Sequence, residues 1–94
     1  MIQTPKIDFN LLSEDWDVFD SDINDHCTVA IKEDKEIRVY YADPVGVNKI
    51  RVKKGDDVIY EQCFNFLLKP SVMELKKILN AAGIEDWEKY YTAC

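Results

Sequence analysis

Asp20, Asp22 and Asn24 stand two apart, at the first, third and fifth positions of a stretch that opens like a calcium loop, where a hard cation needs oxygen ligands. The rest of that motif is missing. Its sixth position is Asp25 where a glycine makes the sharp turn, and its twelfth is Ile31 where a bidentate glutamate closes the cage. A solvated turn accounts for the same residues, and no metal is expected. His26 and Cys27 are neighbours, which suggests zinc or an activated thiol. Adjacent residues on a strand point to opposite faces, so the two cannot engage one reacting atom. The three cysteines, Cys27, Cys63 and Cys94, lack C-x-x-C spacing, and the three glycines, Gly46, Gly55 and Gly83, are isolated. With a single histidine there is no catalytic pair and no metal-ligand set, so the chain reads as non-enzymatic and free of cofactors. An odd set of thiols outside any disulfide framework fits a reducing cytoplasm.

Charge is the remaining chemical resource, and it is unevenly placed. Between Ile7 and Ile31 lie seven acids, Asp8, Glu14, Asp15, Asp17, Asp20, Asp22 and Asp25, with no lysine or arginine among them. Lys49, Arg51, Lys53 and Lys54 then fall within six residues. Those cations, with Tyr40, Tyr41 or Tyr60 for stacking, could meet a phosphate backbone. The formal net charge of -6 opposes that at long range, and cations alternating with Ile50 and Val52 are what the solvated face of a half-buried sheet displays. Direct nucleic-acid binding is therefore not expected.

The elements that must hold these groups follow from periodicity. Leu12, Trp16, Phe19 and Ile23 recur at helical spacing, and Ser13 with Glu14 and Asp15 supplies an N-terminal cap, which predicts a short helix over residues 13–20. From Cys27 the period changes to two. Cys27, Val29 and Ile31, then Ile37, Val39 and Tyr41, alternate about a Glu33-Asp34-Lys35 turn. Asp43-Pro44-Val45-Gly46 and Lys54-Gly55-Asp56-Asp57 turn the chain before two further strands, the last over residues 58–66. These readings predict a four-stranded antiparallel meander. Ser71-Val72-Met73-Glu74 is a capping box, Val72, Leu75, Ile78 and Leu79 form an apolar face, Gly83 stops that helix, and residues 84–91 read as a second one. The expected fold is α+β in a single domain spanning residues 1–94, with the two C-terminal helices packed on one face of the sheet.

On a helix, carboxylates three or four apart stand about 5–6 Å from one another, close to the spacing of phosphates along DNA. A row of them can occupy the phosphate sites of a DNA-binding protein. Glu14, Asp15, Asp17, Asp20, Asp22 and Asp25 are the partner-binding candidates on that reading, with the apolar stripe turned inward. The same acids could instead dock a basic partner without copying DNA, as an immunity protein or assembly factor does, or serve only solubility.

A small acidic chain with such an uncompensated stretch resembles the DNA-mimicking anti-restriction proteins of the Arn type from bacteriophages. The likeness lies in size and charge and rests on no motif. It implies a homodimer in the host cytoplasm that inhibits a basic DNA-binding protein, such as a restriction enzyme or a nucleoid protein. No apolar run reaches membrane-spanning length, and the opening MIQTPKIDFN has no apolar signal core, so neither a membrane partner nor export is expected.

Overall fold

The computed structural model describes residues 5–21, 26–42, 46–65 and 69–92. A two-residue strand, β1 (Lys6–Ile7), leads into a single helical turn, α1 (Phe9–Leu12). Asp8 caps that turn, its carboxylate accepting from the amides of Asn10 at 3.1 Å and Leu11 at 3.2 Å. After a turn at residues 13–16 the chain forms five consecutive strands: β2 (Asp17–Ser21), β3 (Cys27–Lys32), β4 (Lys35–Ala42), β5 (Gly46–Lys54) and β6 (Asp57–Cys63). Each pairs antiparallel with the next, in the order β2-β3-β4-β5-β6. One long helix, α2 (Val72–Ala81), a 3-10 turn at Trp87–Tyr90 and a short strand β7 (Tyr91–Thr92), which pairs with β1, complete the described fold.

Three expectations are corrected here. The segment 13–20 is not a helix, because Asp17–Ser21 pairs residue for residue with Cys27–Ile31 and makes the meander five-stranded instead of four-stranded. A helix of two turns is marginal in water, and Asp, Ser and Val are poor helix formers, so a strand partner wins. Leu12 and Trp16 are buried as their spacing implied, but Phe19 is 47% exposed, and Ile23 lies outside the described residues. The second C-terminal helix is likewise only a 3-10 turn, so among the described residues one helix of real length packs on the sheet. The strand expected over 58–66 ends at Cys63.

Helix α2 begins where Ser71 accepts from the Glu74 amide at 3.3 Å. It ends at Gly83, whose φ of 84° suits glycine, as the Ile84 amide reaches back to the Leu79 carbonyl at 2.9 Å. Residues opposed across a ladder share a face of the sheet. Ala30, Ile37, Val39, Ile50 and Val52 therefore line the inner face, where they are buried against Leu75, Ile78 and Leu79 of α2, with Leu12, Trp16 and Phe64 closing the core. Phe19, Val29, Arg38, Arg51 and Glu61 form a row on the other face, and Ser21, Cys27, Tyr40, Lys49 and Cys63 form the next. Among the described residues no helix covers that outer face. Val29 and Cys27 are buried there, outside the core cluster, flanked in their rows by Phe19 and Arg38 and by Ser21 and Tyr40. No helix among the described residues is long and apolar enough to cross a membrane.

Candidate functional site

The acidic candidates fall on the turn before β2 and on β2 itself, which ends the sheet. Glu14, Asp15, Asp17 and Asp20 are all exposed. Asp15 is the one that meets a cation, Lys32 Nζ at 3.0 Å at the C-terminal end of β3, and this hydrogen bond raises the Lys32 pKa. Asp20 accepts from the Thr28 hydroxyl at 2.9 Å, and Thr28 in turn lies 3.2 Å from the Tyr41 hydroxyl. Among the described residues Glu14, Asp17 and Asp20 have no ion pair. Asp22 and Asp25 lie outside the described residues. Because β2 alternates, Asp17 and Phe19 belong to the outer face while Val18 and Asp20 belong to the side of α2. The structure thus brings four of the six acids to one edge, but on both sides of a strand, not along one helical face.

The basic run occupies the middle of the outer face. Lys49 Nζ stands 4.5 Å from the centre of the Tyr40 ring and Arg51 Cζ 5.6 Å from it. Of the three tyrosines considered from sequence, only Tyr40 joins these cations, since Tyr41 and Tyr60 pack toward the core. Arg51 Nε donates to Glu61 at 2.7 Å, a hydrogen bond that raises the arginine pKa and lowers that of the glutamate. Arg38 Nε lies 3.0 Å from Glu36 Oε1, at an angle that makes an ion pair without a hydrogen bond, and Nε is buried. Burial opposes the Arg38 charge, but the pull of Glu36 and Tyr40 exceeds it and the pKa rises. Lys53 sits in one row with Asp17, so the cations share a face with part of the acidic edge. A continuous anionic surface isolated from the basic run is not what this sheet presents.

The other candidate groups can be placed only where the described residues hold them. His26 is exposed beside the Tyr41 ring, centroids 5.3 Å apart, whereas Cys27 is 2% exposed, which separates the pair as strand alternation requires. Among the described residues no three His, Cys, Asp or Glu side chains converge as metal ligands, and the calcium-like stretch falls mostly outside them. An apolar cleft of about 220 Å³ opens between Ile7, Phe9, Val39, Tyr41, Ile50 and Leu75, and its lining has no carboxylate, histidine or thiol. Sequence reasoning missed that β2 is an edge. The signal available was Val18-Phe19, a β-prone pair bounded by turn-forming residues on both sides. Compared with protein-family models, with curated proteins and with solved structures, the chain gives no significant match.

Proposed function

We propose that the protein is a non-catalytic docking module that holds a basic partner protein against the acidic edge of its sheet. The observation that carries this reading is the exposure of Asp17 and Asp20 on a terminal strand, and of Glu14 in the turn before it, with no ion pair among the described residues. Structural carboxylates here are tied: Glu61 to Arg51, Glu74 to the Tyr60 hydroxyl. Glu14 and Asp17 have no such partner among the described residues, and with Asp20, which accepts only from the Thr28 hydroxyl, they stand together at the β2 edge. Exposed charges of this kind steer encounter and set partner choice more than they add affinity, so the interaction should be fast and salt-sensitive.

Docking is favoured over DNA mimicry by geometry. Mimicry needs a regular track of charge, and the acids of β2 point to both sides of the sheet with cations on one of them. Poly-L-lysine is a suitable probe for the reading. The triple variant Glu14→Gln, Asp17→Asn, Asp20→Asn should bind it about fivefold more weakly at low salt, three exposed pairs contributing a few tenths of a kcal/mol each. A control triple at Asp56, Asp57 and Glu85, with the same net charge, should change binding about twofold or less. Equal loss in both would show that only global charge matters and would remove the assignment of the site. With any partner then identified, a duplex oligonucleotide that displaces the protein would restore the mimicry reading.

A further inference from the structure

We infer that β2 takes its partner by strand addition: the occupant is an extended segment that pairs with the open edge and carries two cations three residues apart, flanking two apolar residues. This rests on the docking reading above and specifies its mode.

Three features of β2 converge on it. Asp17–Ser21 pairs with β3 in unbroken register and, among the described residues, with no other strand. A strand with one neighbour leaves alternate N–H and C=O groups directed outward, and among the described residues no backbone hydrogen bond beyond the β3 ladder engages residues 17–21. Among the described residues the edge is therefore an unpaired template. Its side chains then dictate what fits. Reading along the strand, an added segment meets Asp17 on the outer face, Val18 on the inner, Phe19 on the outer and Asp20 on the inner. Directly opposed residues share a face, so the complement of acid, apolar, apolar, acid is cation, apolar, apolar, cation. Phe19, 47% exposed in a small domain, gains cover from a β-branched neighbour on that face.

Other occupants fit worse. A second copy paired edge to edge through β2 would bring two sets of Glu14, Asp15, Asp17 and Asp20 together, which like-charge repulsion opposes. The homodimer expected from sequence would have to use another surface. The opposite edge, β6, is interrupted by a register shift beside Lys53, and its Glu61 is already held by Arg51.

Three six-residue peptides test the inference by NMR titration of the full chain at low salt. The first is acetyl-Thr-Lys-Val-Val-Lys-Thr-amide. The second, Thr-Val-Lys-Val-Lys-Thr with the same ends, has the same composition but puts both cations on one face. The third is the first peptide N-methylated at both valines, which removes a donor from each of its edges and leaves its charge intact. The first should bind about threefold more tightly than the second, one well-placed cross-strand charge pair being worth that much, and should shift the amides of β2. The third should lose binding. If all three bind alike, or if none binds, strand addition is overturned. The docking reading is judged separately, by whether poly-L-lysine still discriminates the edge triple from its control.

Discussion

Strands β2 and β6 end the same five-stranded sheet and both carry acids, yet β6 is the more firmly tied, since among the described residues β2 has one side-chain hydrogen bond, from Thr28 to Asp20. There Glu61 accepts from Arg51 at 2.7 Å, Tyr60 donates to Glu74 of α2 at 3.2 Å, and a register shift beside Lys53 breaks the edge. On β2 the ladder is regular, Asp17 has no ion pair among the described residues, and Phe19 is 47% exposed. One edge is closed by its own side chains and the other is left open. Natural sheets usually blunt a free edge with bulges or charge because it templates association. This chain uses a bulge at one edge and charge alone at the other, and charge admits a partner of opposite sign.

The largest effect that separates the two edges should come from their anchors to the core. The Tyr60 ring packs against the buried cluster and ties β6 to α2, and Tyr60→Ala should cost about 2 kcal/mol, below the range for a fully buried aromatic. Val18 anchors β2 with a smaller side chain, and Val18→Ala should cost about 1 kcal/mol. Urea unfolding of both variants checks the order. A larger loss at Val18 would mean that β2, not β6, is the firmly held edge.

Tyr60→Phe sharpens the same point. It removes only the hydroxyl, with an expected loss of about 1 kcal/mol at neutral pH for one hydrogen bond to a charged acceptor in a partly exposed setting. Burial first, and the Glu74 hydrogen bond second, raise the Tyr60 pKa to about 12 from 10.0. A folded-state pKa above the unfolded value gives stability that is intact below pH 10 and is lost as pH climbs through about 12. The wild type should therefore weaken across that interval, and Tyr60→Phe should flatten the decline. An unchanged alkaline limb in the variant would remove Tyr60 from this role.

How far sequence reached is seen by following particular residues. The strands from Cys27 to Cys63 are legible because apolar and polar residues alternate and polar turns separate them, with Gly55 at a positive φ that suits glycine, although Glu33 takes a positive φ that its residue type does not announce. Helix α2 is legible from its Ser71 cap and Gly83 stop. β2 is not, since Leu12, Trp16 and Phe19 satisfy a helical template by coincidence. Two are buried from a turn and one sits exposed on a strand. Only pairing with β3 decides the matter, and pairing is tertiary. The same holds for the site: its acidity is plain in the sequence, but its position on an open edge, and the sharing of a face by Asp17 and Lys53, depend on sheet order and register.

If charge is what keeps β2 from pairing with itself, neutralising it should expose the template. Asp17→Val with Asp20→Val turns the edge into five residues of which four are apolar, next to Phe19 that is already exposed. Concentration-dependent self-association by sedimentation is expected for this variant and not for Glu61→Val, because the β6 edge keeps its bulge. Association of both to the same degree would make the two edges equivalent.

The smallest expected effect is also the one that most directly separates fixed from free acids. Glu61→Gln removes the carboxylate held by Arg51, whose hydrogen bond lowers the Glu61 pKa from 4.5. A lowered folded-state pKa gives stability that is present above pH 4.5 and is lost as pH falls through the folded value, so this variant should show a shallower acid limb and a slightly lower midpoint at neutral pH. The edge triple Glu14→Gln, Asp17→Asn, Asp20→Asn breaks no ion pair, and the asparagine oxygen at position 20 can still accept from Thr28. Its neutral-pH midpoint should hold or rise, as mutual repulsion along β2 is relieved, while its capture of a basic probe slows. A fall in that midpoint would show that the β2 acids support the fold, and a structural duty would then account for their exposure as well as a docking one does.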